Sequence, residues 1–218
     1  MEIPSAAPPD FGLTQVWWGD GKGKTTAALG MAFRAAGHGY RVHILQFMKG
    51  GAGSVENVRG EYNAIAAMPG LSYENRGHYG WHAMADGTRR ARPRRGLDRA
   101  RDTVDATAAA DLTTPLTLDA DPDDGVHMLG LDEVLYAAER GLVDPGDVRD
   151  LLAAAPADLE GVLTGGHERP GYLADHADIV TNVRKETHPI NAGQGGRERG
   201  PSTELEWSKT AGRRPSDA

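Results

Sequence analysis

The sequence predicts an α/β domain in which helices cover both faces of a mostly parallel β-sheet, so that the fold has three layers. Apolar, strand-like runs alternate along the chain with helix-like runs, and this order produces parallel βαβ units with right-handed crossovers. A glycine-rich segment also separates the first predicted strand from the first predicted helix. Ligands of such sheets bind beyond the carboxyl ends of the strands. We therefore expect the functional site at that edge of the sheet.

The 218 residues suit one globular domain. We expect this domain over residues 13–193, a disordered proline-rich segment over 1–12 and a flexible tail over 194–218. Apolar runs predict strands at 13–18, 41–47, 71–75, 127–131, 159–164 and 179–183. Helical spacing predicts helices at 27–36, 55–68, 97–110, 134–140, 145–155 and 169–177.

Composition excludes several classes of protein. The chain has no cysteine, which excludes disulfides, thiol nucleophiles and thiolate metal sites. Its net charge of -7 argues against nucleic acid as the main partner, because nucleic-acid-binding proteins usually carry a basic surface. No apolar run reaches the roughly 18 residues that span a bilayer, and the first residues lack the features of a secretory signal. We expect a cytoplasmic protein with no membrane partner.

The segment 19–26 predicts a site for a nucleoside triphosphate such as ATP. It reads Gly-Asp-Gly-Lys-Gly-Lys-Thr-Thr and lies between a strand and an alanine-rich helix. In this arrangement backbone N–H groups and the positive end of the helix dipole face the phosphates. Lys24 supplies a point charge, and the Thr25 hydroxyl supplies a ligand for Mg²⁺. The predicted nucleotide-binding residues of this loop are Gly19, Asp20, Gly21, Lys22, Gly23, Lys24, Thr25 and Thr26.

This phosphate loop is shorter than usual. The common pattern places a glycine five residues before Gly23, but Trp18 stands there and the first glycine comes at Gly19. A shorter loop should hold the triphosphate differently, so we do not expect routine attack on the γ-phosphorus. The alternative is a slightly irregular ATPase loop in which Trp18 is a core residue at the end of the strand.

Two carboxylates follow a later strand. Asp132 and Glu133 end the apolar run at 127–131, where the companion carboxylates of a phosphate loop hold Mg²⁺ or polarise a water molecule. We expect Thr25 and Glu133 to be ligands of Mg²⁺ (or Mn²⁺), with Asp132 behind them. The alternative is that the acidic pair only caps a helix.

Two charged segments lie outside these motifs. Seven arginines crowd residues 89–101, and we favour a solvated surface helix whose arginines are balanced by aspartates. The alternative is an anion-binding wall beside the active site. The acidic cluster at 119–124 predicts a hydrated turn, because its spacing differs from that of a calcium-binding loop.

The ordered set of motifs resembles the P-loop ATP:cob(I)alamin (corrinoid) adenosyltransferases of vitamin B12 biosynthesis and salvage. The resemblance runs from Gly19 to about Gly193, and it implies a P-loop NTPase-like, RecA-like fold. After the phosphate loop, the matching segments are Arg34-Ala-Ala-Gly-His-Gly39, Gln46-Phe-Met-Lys-Gly50, Leu131-Asp-Glu133, Leu163-Thr-Gly-Gly166, Ala177-Asp-Ile-Val180 and His188-Pro-Ile-Asn-Ala-Gly193. The sequence after Gly193 departs from the family pattern.

The resemblance implies that Co(I) of cobalamin, or of a corrinoid precursor of the cob(I)yrinic acid a,c-diamide type, attacks the 5′ carbon of ATP and releases triphosphate. Lys24, Lys22, Arg34 and the metal ion would stabilise the leaving triphosphate. The aromatic residues Tyr79 and Trp81 match a loop that contacts the lower face of the corrin ring. The alternative is that these two rings only anchor a loop to the core.

The resemblance also implies a homodimer and an electron donor such as a flavodoxin or a flavin reductase. Two other functions remain open from the sequence. One is a P-loop phosphotransferase or NTPase that acts on a small molecule, because the fold hosts many chemistries. The other is a corrinoid carrier that is gated by nucleotide and catalyses no reaction.

Overall fold

The computed structural model describes residues 12–48, 60–77, 86–112 and 121–187. The strands of these ranges are β1 (Thr14–Trp18), β2 (Val42–Gln46), β3 (Leu71–Asn75), β4 (Met128–Asp132), β5 (Glu160–Thr164) and β6 (Ile179–Asn182). The helices are α1 (Lys24–Gly37), α2 (Gly60–Ala66), α3 (Asp86–Ala109), α4 (Val134–Glu139) and α5 (Pro145–Ala154). Short 3₁₀ turns cover Pro122–Asp124 and Gly171–Leu173.

The strands form one six-stranded sheet in the order β3-β2-β4-β5-β1-β6. Every strand pair is parallel, which confirms the predicted fold class. All six carboxyl ends therefore lie at one edge. β5 separates β1, which leads into the phosphate loop, from β4, which carries the acidic pair.

Helices cover both faces of the sheet, as the sequence predicts. On one face, α1 buries its alanine-rich side together with Ile65 of α2 against Val42, Ile44 and Val162. On the other face, α3, α4 and α5 cover a core that includes Leu45, Leu131 and Leu163. Successive residues of β2, β4 and β5 point to opposite faces of the sheet, and every residue of these three strands is buried because both faces are covered.

The long arginine-rich helix begins earlier than predicted. α3 starts at Asp86 rather than at residue 97 and runs through Pro93. A proline inside a segment usually marks a break in a helix. Pro93 is instead buried and lies at helical spacing with the buried side chains of Leu97, Ala100 and Val104. Burial of this apolar stripe accounts for a helix that continues past a residue without an N–H group.

The prediction of a helix at 169–177 is wrong. The structure has only a 3₁₀ turn at Gly171–Leu173, and Leu173 is its one buried residue. Pro170 and Gly171 disfavour a longer helix. Elsewhere the predicted elements are confirmed with shifted ends: α1 begins at Lys24, and the described part of the helix predicted at 55–68 covers Gly60–Ala66.

The predicted terminal segments 1–12 and 194–218 fall almost wholly outside the described residues, so their disorder stays a prediction. Among the helices that the structure describes, none is long and apolar enough to cross a membrane.

Candidate active site

The phosphate loop is held between the ends of two neighbouring strands. β1 pairs with β5 on one side and with β6 on the other. The loop that follows it donates from the Gly19 N–H to the Gly166 carbonyl at 3.1 Å and from the Gly21 N–H to the Val183 carbonyl at 2.8 Å. A Cβ on Gly19 would lie 2.3 Å from the Val183 oxygen. The glycines therefore permit a close contact with the chain that leaves β6.

The end of the loop is open and leads directly into a helix. Gly23 is the N-cap of α1 and has a left-handed backbone with φ of 102° and no side-chain cap, a conformation that favours glycine. Among the described residues, no heavy atom lies within 4 Å of where a Cβ on Gly23 would be. The first N–H groups of a helix have no intrahelical acceptor. The arrangement therefore suits an anion at the start of α1.

Lys24 lies across this loop. Its Nζ donates to the Gly19 carbonyl at 2.5 Å and to the Gly21 carbonyl at 2.9 Å. The ammonium group is thus placed beside the loop in which the phosphates would lie. An anion there would meet both this charge and the N-terminus of α1.

Asp132 joins the phosphate loop to the centre of the sheet. Its Oδ1 accepts hydrogen bonds from the Thr25 hydroxyl at 2.9 Å and from the Thr164 hydroxyl at 2.5 Å. Its Oδ2 accepts from the Gln46 amide at 2.8 Å. The carboxylate is only 3% exposed. Thr164 ends β5, the strand between β1 and β4, and so bridges the gap that the strand order creates.

Glu133 lies at the turn from β4 into α4. It has a left-handed backbone with φ of 63°, the one positive φ among the described residues other than glycine, and such a backbone is strained. Its N–H donates to the Thr164 hydroxyl at 3.1 Å. Gly165 packs closely here, since a Cβ on it would lie 2.9 Å from Glu133 Cα. The structure thus brings Thr25 into contact with Asp132, and Glu133 follows Asp132 at the same strand end.

These residues fit a magnesium ion. Mg²⁺ prefers hard oxygen ligands and usually keeps waters and substrate phosphates in its coordination sphere. The Thr25 hydroxyl donates to Asp132, which leaves its oxygen lone pairs available as ligands. Within the ranges that the structure describes, no group of three or more His, Cys, Asp or Glu side chains could hold a metal alone. Nucleotide phosphates and water would therefore have to complete the site.

The other predicted site residues lie in the phosphate loop, further along α1 or outside the described ranges. Arg34 is exposed in the last turn of α1, ten residues after Lys24 and hence about 15 Å along the helix. The structure does not bring it to the loop. Lys22 and Thr26 are exposed residues of the loop itself, and Asp20 of the same loop lies 3.7 Å from the ammonium of Lys185. Tyr79 and Trp81 lie outside the described residues.

Two arginines of the charged segment, Arg99 and Arg101, bind carboxylates. Arg99 contacts Glu74 at 2.8 Å and Asp123 at 2.5 Å, and Arg101 contacts Asp98 and Asp147. Burial alone would raise the pKa of Glu74, but the hydrogen bond from Arg99 and the charge of Arg76 lower it. These pairs favour the interpretation as an acid-balanced surface helix over an anion-binding wall.

Sequence reasoning missed the roles of Gln46 and Thr164. Both appeared only as members of matching segments, and neither was assigned to the site. Each is the last residue of its strand. A search for polar residues at the carboxyl ends of all predicted strands would have found them.

The sequence was also compared with known proteins. The sequence matches the family described as ATP:corrinoid adenosyltransferase BtuR/CobO/CobP over residues 10–199. It is 34% identical over 184 residues to a corrinoid adenosyltransferase of Pseudomonas aeruginosa, covering 84% of this chain and 79% of that protein. It is 31% identical to the corrinoid adenosyltransferase CobA of Salmonella typhimurium and 30% identical to a corrinoid adenosyltransferase of Escherichia coli K12, in each case over 86% of this chain and 84% of the relative.

The family match includes every described strand and helix, and these three relatives align with most of their own lengths. Together with the phosphate loop and the carboxylate that meets it, these matches establish that the chain belongs to the ATP:corrinoid adenosyltransferase family.

Proposed function

We propose that this transferase moves the 5′-deoxyadenosyl group of ATP to Co(I) of cobalamin or of a corrinoid precursor of the cob(I)yrinic acid a,c-diamide type, with release of triphosphate. The observation that carries the proposal is the shortened phosphate loop, on which Lys24 lies across two carbonyls and Thr25 is tied to Asp132. In a member of this family, that arrangement supports ATP bound through its triphosphate as the leaving group.

The reaction is a displacement at carbon. The electron pair of Co(I) forms the Co–C bond to the 5′ carbon, the bond from that carbon to its oxygen breaks, and the pair leaves on triphosphate. Cobalt becomes Co(III). The cobalt is itself the nucleophile, so the reaction requires no protein base. The protein must align the reacting atoms and stabilise the negative charge that grows on the leaving oxygen.

Different residues of the chain would bind the triphosphate, the metal ion and the corrin ring. Lys24 and the N-terminus of α1 stabilise the leaving triphosphate, with Lys22 and Thr26 beside them. Arg34 would reach the triphosphate only by way of residues from another segment, because its position in the last turn of α1 is far from the loop. Thr25 and Glu133 would hold Mg²⁺ (or Mn²⁺), with Asp132 positioning Thr25, and the ion would neutralise phosphate charge. Tyr79 and Trp81 would contact the lower face of the corrin ring.

We further propose a cytoplasmic homodimer that receives electrons from a flavodoxin or a flavin reductase. Support comes from the family resemblance. A donor is required because each corrinoid substrate must be reduced from Co(II) to Co(I) by one electron before it can attack ATP. Light scattering at micromolar concentration measures the oligomeric state, and a monomeric mass would contradict the dimer.

One assay separates adenosyl transfer from phosphoryl transfer. The protein is incubated with ATP, Mg²⁺ and chemically reduced cobalamin. We expect one triphosphate to be released for each photolabile Co–C bond that forms. Formation of ADP that does not depend on the corrinoid would contradict the proposal, and so would tight corrinoid binding without turnover.

A further inference from the structure

A pair of partly buried tyrosines, Tyr62 and Tyr73, lies behind the carboxylate that contacts the phosphate loop. A cavity opens between α1, α2 and the ends of β2, β3 and β4. The residues around it that matter here are Thr25, Leu29, Gln46, Tyr62, Tyr73 and Asp132. Tyr62 comes from α2 and Tyr73 from β3, and their ring centroids are 4.9 Å apart. Neither tyrosine is among the site residues predicted from the sequence.

Both tyrosine hydroxyls meet the side chain of Gln46. Gln46 Oε1 accepts from the Tyr73 hydroxyl at 2.6 Å and from the Tyr62 hydroxyl at 2.9 Å. The two hydroxyl oxygens are 2.9 Å apart, and Asn75 Nδ2 lies 3.5 Å from the same Gln46 oxygen. Gln46 is 3% exposed. Its carbonyl end is therefore surrounded by donors.

This environment fixes which way the amide faces. With Oε1 on the tyrosines, Nε2 points to Asp132 Oδ2 at 2.8 Å. A flipped amide would set its oxygen against a carboxylate oxygen and would turn its N–H groups toward the donating hydroxyls. A buried polar group without a partner costs about 1–3 kcal/mol. The tyrosines thus select the one orientation in which Gln46 donates to Asp132.

The chain of hydrogen bonds continues to the phosphate loop. One oxygen of Asp132 accepts a hydrogen bond from the Gln46 amide, and the other accepts hydrogen bonds from the Thr25 and Thr164 hydroxyls. Donors on both oxygens prevent rotation of the carboxylate, and this fixes the direction of the Thr25 hydroxyl proton. The lone pairs of the Thr25 oxygen then face away from Asp132. The orientation of a metal ligand commonly depends on such supporting hydrogen bonds.

We propose that Tyr62, Tyr73 and Gln46 are positioning residues that hold the Asp132 carboxylate, and through it the Thr25 hydroxyl, in the orientation that receives Mg²⁺-bound triphosphate. We name these three residues the brace. The inference rests on the proposed function, because it assigns a role within the same site.

The test measures how much Mg²⁺ improves ATP binding. Calorimetry gives the dissociation constant of ATP with Mg²⁺ and with EDTA, and the ratio of the two is the Mg²⁺ gain. Gln46→Leu removes a hydrogen bond to a charged group, so we expect the gain to fall by about 10–100-fold. Tyr73→Phe removes a hydrogen bond between neutral groups, so we expect a fall of about 5-fold. Binding in EDTA should change little in either variant.

A double-mutant cycle separates positioning from packing. If Tyr73 acts through Gln46, the combined variant should have the same Mg²⁺ gain as Gln46→Leu alone. Tyr40→Phe is the matched control, since Tyr40 is buried at the opposite end of β2, and it should keep the wild-type gain. Additive effects in the cycle, or equal losses with Mg²⁺ and with EDTA, would overturn the inference. A wild type whose ATP affinity does not respond to Mg²⁺ would overturn it as well.

A folding failure of Gln46→Leu does not block the test. The double variant Tyr62→Phe, Tyr73→Phe loses only two oxygen atoms and leaves Asn75, at 3.5 Å, as the remaining donor to Gln46 Oε1 among the described residues. We expect a reduced Mg²⁺ gain, and a full gain would overturn the inference. Adenosyl transfer by the wild type is assayed separately. Its absence would contradict the proposed function, whereas the double-mutant cycle of ATP binding tests the brace independently.

Discussion

Lys24 is the residue whose charge is best placed to act on a bound triphosphate. Its ammonium group bridges the carbonyls of Gly19 and Gly21, one residue before the threonine that meets Asp132. A lysine ammonium is a compact charge with three rotatable donors, so it can turn from backbone carbonyls to phosphate oxygens without moving the backbone. Removal of this side chain should therefore affect the reaction more than the fold.

We expect Lys24→Ala to lower kcat/KM for ATP by roughly 100-fold or more, as loss of one well-placed donor to a developing anion commonly does. The urea midpoint of unfolding should stay close to that of the wild type. Arg149→Ala is the control, because Arg149 is an exposed cation that pairs with Asp150, and it should leave turnover unchanged. Turnover of Lys24→Ala at the wild-type rate would contradict the role of Lys24.

At the scale of elements, the phosphate loop depends on the chain that leaves β6. Gly21 donates to the Val183 carbonyl, and a Cβ on it would lie 2.8 Å from backbone atoms of both Val183 and Arg184. Real Cβ atoms almost never approach that closely, so either the loop or the strand end must shift. Because the loop places both Lys24 and the start of α1, a shift here should alter ATP binding.

We expect Gly21→Ala to weaken ATP binding about 10-fold, which corresponds to about 1.4 kcal/mol. Gly30→Ala in α1 is the matched control, since Gly30 is exposed and no atom lies within 4 Å of its added Cβ among the described residues. This control should bind ATP normally and should raise the free energy of unfolding by about 0.5–1 kcal/mol. Wild-type ATP affinity in Gly21→Ala would show that the contact with β6 does not shape the loop.

At the scale of the whole molecule, the stability of the sheet should depend on pH through His43. This residue lies in β2 and is fully buried. Its pKa is lowered to about 4, chiefly by burial; the charges of Glu74 and Asp123 oppose this shift, and the charges of Arg99 and Arg76 add to it. In the unfolded chain His43 therefore takes up a proton near pH 6.5, whereas in the folded chain it takes up this proton only near pH 4. Stability is present above this window and is lost as the pH falls through it.

We expect the free energy of unfolding attributable to His43 to fall by about 2 kcal/mol between pH 7 and pH 5. His43→Gln should lose that much less over the same range in urea titrations. The pKa of buried His127 is also lowered, chiefly by burial, but it contributes equally to both proteins and cancels in the comparison. His38→Gln, at an exposed position, is the control. Parallel pH profiles for the wild type and His43→Gln would contradict the assignment.

Local patterns and strand order explain how far the sequence could be interpreted. The glycine loop and Asp132 could be predicted because each is a short motif beside an apolar strand. The brace could not, since Tyr62 and Tyr73 meet Gln46 only because β3, β2 and β4 are neighbours, which no local pattern states. The start of α3 was missed because Pro93 signals a break locally, whereas burial against the sheet decides the outcome.

In the proposed reaction, the loop presents the 5′ carbon of ATP, rather than a phosphorus atom, to the nucleophile. The most direct measurement uses ATP that carries ¹⁸O at the oxygen joining the 5′ carbon to the α-phosphorus, together with Co(I) cobalamin. Attack at carbon breaks the carbon–oxygen bond, so mass spectrometry should find the label in the released triphosphate. A label that stays with the nucleoside, or unlabelled phosphate products, would contradict the account.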